Sequence, residues 1–191
     1  MRNSFSTRKL ALAGMMAAVV FAGNYARIVI PISLGGQTAF TLGNIFSCLS
    51  GLLLGPVGGL SSGIGAALYD LMDPRYAADC WITFITKGAM GLAAGLAASF
   101  ARKEGGSLSY LRALASTVLG CVTYYILYFA KTFFYSGLLL KGLTPALAGA
   151  LVLEKIPASV FNAAIAIAAA PPLAIAILAA LQRSGMKGAA E

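Results

Sequence analysis

Residues 52–71 read LLLGPVGGLSSGIGAALYDL. Two apolar runs meet at Gly55-Pro56, and Asp70 near the end is the only charged residue in the stretch. Gly-Pro punctuates a chain strongly, because proline lacks an N–H and restricts the residue before it. The runs on either side, from Leu42 to Leu54 and from Val57 to Met72, are each short for a bilayer core that takes roughly 20 apolar residues. Taken as one helix they are too long for a single crossing, so the reading is a tight helical hairpin. Gly51, Gly55, Gly59 and Gly63 hold one four-residue register across the break, and Gly91 and Gly95 repeat it further on. Small residues at this spacing let helix backbones approach closely, which drives packing in lipid.

The rest of the chain has the same character. Of 191 residues 59% are hydrophobic and only 10% are charged, with mean hydropathy +0.84. A soluble domain carries about 25% charged residues, because water must wet its surface. This composition predicts an all-α integral membrane bundle of six transmembrane helices, forming a single domain over residues 1–191. The first span runs from Lys9 to Ile30 and is ended by Pro31; its basic start resembles a signal peptide but lacks a convincing cleavage site. Residues 31–41 (PISLGGQTAFT) read as an uncharged loop and residues 73–79 (DPRYAAD) as a polar one. The fourth span covers Cys80 to Ala101 and the fifth Tyr110 to Tyr135, joined by RKEGGSLS at 102–109. Thr144-Pro145 resembles an N-cap with proline at the first helical position, opening a short interfacial helix over 145–153. The sixth span runs from Pro157 to Leu181, kinked at Pro171-Pro172.

Six spans place both termini on one side. With the termini inside, Arg2, Arg8, Lys9, Arg102, Lys103, Arg112, Arg183 and Lys187 are cytoplasmic, and Arg27, Arg75, Lys87, Lys131, Lys141 and Lys155 fall in the outer half. The outer half also holds Asp70, Asp73, Asp79 and Glu154, so the positive bias points inward, giving N-in and C-in. The net charge of +8 forms no stripe, which argues against nucleic acid as a partner. The chain has no histidine, and Cys48, Cys80 and Cys121 stand singly, so neither a metal site nor a redox pair is expected. The phosphate-loop pattern G-x-x-x-x-G-K-[ST] is missing. No enzyme activity and no cofactor are expected, and no acid lies at mid-membrane to serve a proton-coupled carrier.

Polar groups within apolar spans are costly and therefore candidates for function. Lys87 lies about 10 Å into the fourth span at 1.5 Å per residue. Two readings stand: it snorkels to the outer interface or pairs with Asp70 or Asp79, or it is a cationic group in an outward-facing cavity. Tyr124, Tyr128, Lys131 and Tyr135 share one helical face. Tyr135 suits an interfacial belt, whereas Tyr124 lies too deep, and an aromatic wall beside a lysine suits a flat ligand with polar edges. Glu154 and Lys155 stand at the outer entry of the sixth span, with Ser159 and Asn162 deeper. Asn162 either bonds a neighbouring helix or meets the ligand. Asn44 either caps the second span or reaches the same cavity. Trp81 and Tyr76 belong at the interface, with Trp81 also retained among the substrate-facing candidates. In the first span Ala13 and Ala17, or alternatively Gly14 and Ala18, make a smooth face, suited to packing within the bundle or to docking another membrane subunit.

Taken in order, TRKLALAGMMAAVVFA (7–22), Leu42-Gly43-Asn44, LLLGPVGGLSSGIGAALYDL (52–71), ITFITKGAMGLAAGL (82–96) and EKIPASVFNA (154–163) resemble the substrate-binding membrane subunits (S components) of energy-coupling factor (ECF) vitamin transporters, nearest the riboflavin-transporter-like branch. The resemblance covers nearly the whole chain. Asn44 departs from it, since the family usually carries an acidic residue there. It implies a six-helix fold with an outward-opening pocket gated by the loop after the first span. It also implies a small heterocyclic ligand of riboflavin, thiamin-precursor, pyridoxine or deazapurine type. The Ala13/Ala17 face, or the Gly14/Ala18 register, would meet a transmembrane coupling subunit powered by two cytoplasmic ATPases. From the residues alone, an autonomous solute carrier or a structural membrane protein remain alternatives.

Overall fold

The computed structural model describes residues 7–33, 36–101 and 108–183. Six α-helices and one β-hairpin follow in order: α1 (Thr7–Tyr25), β1 (Arg27–Ile32), β2 (Gly36–Thr41), α2 (Gly43–Leu54), α3 (Val57–Met72), α4 (Cys80–Ala101), α5 (Tyr110–Ala130) and α6 (Pro145–Arg183). A 3-10 turn, Ala77–Asp79, leads into α4, and a π-helical stretch, Lys131–Leu140, prolongs α5. Three stretches, Ala77–Ala101, Tyr110–Leu140 and Pro145–Arg183, are long and apolar enough to cross a membrane. Arg2, Arg102, Lys103 and Lys187, which enter the charge argument for orientation, lie outside the described residues.

The Gly55-Pro56 break is a hairpin. Gly55 has φ +63° and ψ −143°, a backbone state that side chains disfavour and glycine reaches freely. Ser50 Oγ donates to the Gly58 carbonyl at 2.9 Å. Eight residues along one continuous helix would separate these groups by about 12 Å, so the chain has doubled back. The glycine register then explains itself. A Cβ added at Gly51 would stand 2.3 Å from the Gly91 carbonyl oxygen, and one at Gly95 would stand 2.1 Å from that of Gly55. Helices α2, α3 and α4 therefore touch backbone to backbone, around a core that includes Cys48, Leu52 and Met90.

Three expectations are corrected. The first helix stops at Tyr25 rather than Ile30, and the expected loop is a strand pair running from Arg27↔Thr41 to Ile32↔Gly36. The fold class stays all-α, with this hairpin the one strand pair among the described residues. Pro31 lies inside β1 opposite Gln37; in a two-stranded sheet every strand has a free edge, where the missing N–H is tolerated. Helix α5 does not end at Tyr135 but continues through the π-helical stretch to Leu140. The short helix and the sixth span are one helix, α6, with Pro157, Pro171 and Pro172 inside it. Proline in a helix costs about 3 kcal/mol in water, and membrane helices tolerate it where neighbouring groups or a local change of helix pitch satisfy the freed carbonyl.

Candidate functional site

The hairpin lies over a polar chamber with about 130 Å³ of free space, walled by α2, α3, α4, α5 and α6 and roofed by β2. Local bonds fix each wall. Ser62 Oγ donates to the Lys87 carbonyl at 2.8 Å, joining α3 to α4 at the lysine. Thr41 Oγ1 accepts from the Gly43 N–H at 3.0 Å, which sets the start of α2 just before Asn44.

Lys87 is 4% exposed and does not snorkel out. Its ammonium donates to Asn44 Oδ1, and Asn44 Nδ2 donates to the Tyr125 hydroxyl at 2.9 Å. The ammonium also lies 4.5 Å from the Tyr124 ring centroid. A buried ammonium costs several kcal/mol. The charge-assisted bond returns roughly 1.5–3 kcal/mol and the desolvated cation–π contact about 2. Lysine has three donors, and only one is used on Asn44.

Tyr124 and Tyr128 stack with centroids 5.6 Å apart and an interplanar angle of 19°. Lys155 lies 5.2 Å from the Tyr128 centroid. Two ammonium groups thus stand against the two members of one tyrosine stack. At the hairpin root, Arg27 lies 4.5 Å from the Tyr69 centroid and 4.8 Å from that of Tyr76, and 3.6 Å from Asp70. Asp70 Oδ2 accepts from Thr83 Oγ1 at 2.6 Å. Lys131 pairs with Asp79 at 2.5 Å. In the connecting loop, hydrogen bonds from Arg75 hold the Asp73 carboxyl below its ordinary value, and burial raises the Tyr76 phenol.

The roof is held at its edge. Asn162 Nδ2 donates to the Ala39 carbonyl at 2.7 Å, and Asn162 Oδ1 accepts from the Thr41 N–H at 2.9 Å. One carboxamide thus supplies the donor and acceptor that a neighbouring strand would offer an exposed edge. Phe40 meets Phe161 edge to face at 4.7 Å, and the Tyr76 hydroxyl donates to Gln37 Oε1 at 3.2 Å.

Of the residues singled out from sequence, Lys87, Asn44, Tyr124, Tyr128 and Asn162 come together around the chamber. Trp81 and Glu154 do not line it. Trp81 is 54% exposed and packs edge to face on Tyr135 at 6.0 Å. Glu154 yields its place to its neighbour Lys155, because adjacent helical residues point about 100° apart. Arg27, Asp70, Tyr125 and Lys155 are lining residues that were not singled out as substrate-facing. The intramembrane-charge rule that flagged Lys87 would have flagged Lys155 as well. In α1, the Ala17 carbonyl oxygen lies 2.3 Å from where a Gly65 Cβ would stand, so this register packs inward on α3. Gly14 and Ala18 are exposed, and a Cβ at Gly14 would meet nothing within 4 Å. The outward face is therefore the Gly14/Ala18 register. Residues 59–63 (GLSSG) spell G-x-S-x-G, but Ser61 lies mid-helix in α3 and the chain has no histidine, so no nucleophile elbow is formed.

The described helices, three of them long and apolar enough to cross a membrane, pack around a polar chamber. The chain belongs to the family of ECF-type riboflavin transporter S components, whose sequence model matches residues 4–180. Comparison with curated proteins gives no match. The family consists of transport subunits rather than enzymes.

Proposed function

We propose that this chain is the substrate-capture subunit of an ATP-driven ECF importer, crossing a prokaryotic plasma membrane six times with both termini inside. It holds a flat, vitamin-type heterocycle in the chamber under the hairpin and hands it to a transmembrane coupling subunit driven by two cytoplasmic ATPases. The stacked Tyr124–Tyr128 pair between Lys87 and Lys155 carries this reading. Two near-parallel rings offer a π face, and the lysines, Asn44 and Tyr125 offer polar partners for ring edges. Family membership supports riboflavin as the first candidate, with thiamin-precursor, pyridoxine and deazapurine rings as the others. A cavity of roughly 150 Å³ takes up benzene. The 130 Å³ under the closed roof therefore suits a single ring, and a multi-ring ligand enters only if the hairpin lifts. The exposed Gly14/Ala18 face suits close contact with the coupling subunit.

Calorimetry of the purified protein against a vitamin panel is the test. Nanomolar-range binding without ATP, with liposome uptake only when partner subunits are present, is the expected result. Uptake by this chain alone would favour an autonomous carrier. Unchanged uptake in Lys87→Ala and Tyr128→Ala would favour a structural protein.

A further inference from the structure

The chamber carries an unbalanced charge. Arg27, Lys87, Lys131 and Lys155 line it, opposed by Asp70 and Asp79. Both carboxylates are engaged, Asp70 with Arg27 at 3.6 Å and Asp79 with Lys131 at 2.5 Å. Lys87 and Lys155 have no carboxylate partner among the described residues, although they are 4% and 8% exposed. Lys87 has Asn44 as an acceptor. Lys155 stands on the face of Tyr128 and feels the Asp79 carboxylate without pairing with it, and its three donors make no hydrogen bond among the described residues. Glu154, the nearest acid in sequence, does not line the chamber.

A buried ammonium without a counter-charge is expensive, and proteins keep such groups where something else supplies the partner. A neutral heterocycle would cover the tyrosine stack and bury Lys155 further, still unpaired. An acid group on the ring would accept charge-assisted hydrogen bonds from it. Resting on the capture reading above but departing from the neutral rings named there, we propose that the ligand is a flat heteroaromatic ring bearing an anionic oxygen group, a carboxylate or a phosphate monoester. The acid group seats on Lys155, the ring lies against Tyr124 and Tyr128, and Lys87 with Asn44 meets its far polar edge.

Matched neutral and acidic probes test this on the full chain in detergent, by calorimetry: nicotinamide against nicotinate, pyridoxal against pyridoxal phosphate, and riboflavin against its 5′-phosphate. The acidic member of at least one pair is expected to bind about tenfold tighter or more. Nicotinate and the phosphates separate carboxylate from phosphate recognition. Lys155→Gln should bring the acid-to-neutral ratio toward one, and Lys155→Arg should restore it. Equal or tighter binding of the neutral member in every pair that binds overturns the inference and leaves the capture reading standing. A preference that persists in Lys155→Gln overturns the assignment to Lys155. Binding by no member of any pair overturns the inference, and the capture reading falls with it only if the full vitamin panel also finds no ligand. If Lys155→Gln does not fold, the wild-type ratio together with Lys155→Arg decides.

Discussion

Asn162→Leu removes the clamp on the chamber roof while keeping the branched outline of the side chain. Two hydrogen bonds are lost, to the Ala39 carbonyl and from the Thr41 N–H, each worth about 1 kcal/mol net. The Phe40–Phe161 contact remains and is worth about 0.5–1.5 kcal/mol, so the hairpin keeps part of its hold. The closed roof should lose about 2 kcal/mol relative to open forms, a factor of roughly 30 in their ratio. Hydrogen–deuterium exchange of the peptide spanning residues 36–43, followed by mass spectrometry in nanodiscs, reads this ratio directly. Exchange in β2 should rise about 30-fold, while peptides from α3 and α4 stay unchanged. Asn162→Asp keeps an acceptor for Thr41 but sets a carboxylate against the Ala39 carbonyl, so it should also accelerate exchange. A change below about threefold in Asn162→Leu would refute the clamp and assign the hold on the roof to the aromatic pair.

Gly95→Ala places a Cβ 2.1 Å from the Gly55 carbonyl oxygen and should cost about 1–3 kcal/mol by overpacking, lowering the melting temperature in detergent. Gly14→Ala, with nothing within 4 Å, should melt within about 2 °C of the parent or slightly higher. Ala18→Trp should abolish co-purification with the transmembrane coupling subunit while vitamin binding survives; loss of binding with assembly intact would move the docking surface elsewhere. Lys87→Met removes the donor to Asn44 and the cation on Tyr124, and ligand affinity should fall about tenfold or more in calorimetry, the size of one lost charge-assisted bond.

The sequence disclosed the helical architecture where one signal dominated. Helix α4 matches its expected bounds, Cys80–Ala101, because polar loops flank an uninterrupted apolar run. Gly55-Pro56 marked its break because glycine and proline act there through local sterics. The β-hairpin was hidden because RIVIPI continues the apolar run of α1 without a polar residue after Arg27, so its period of two had no contrast. The continuity of α6 was hidden for the opposite reason: Pro157 reads as a boundary, although membrane helices accept proline inside them. Within the chamber, Lys87 and the tyrosine face were legible from depth and spacing. Lys155 was obscured by Glu154 beside it, since adjacent charges in sequence suggest a surface pair until the helix phase is known. The clamp by Asn162 joins residues 121 and 123 positions apart, a pairing that no local pattern encodes.

The glycine contacts lock together α2, α3 and α4, the helices that carry Asn44, Asp70 and Lys87 to the chamber. Where carbonyl oxygens of one helix sit in the space a methyl group would need on the next, no side chain is left to rotate and no sliding is free of collision. On the capture reading, these three helices would form the fixed side of the chamber. The opposite side is bounded by the two-stranded roof and by a helix lacking three of its own hydrogen-bond donors, at Pro157, Pro171 and Pro172. On the capture reading, adjustment to ligands of different length would fall to that side, and residues that alter how quickly a ligand enters and leaves should be sought on β2.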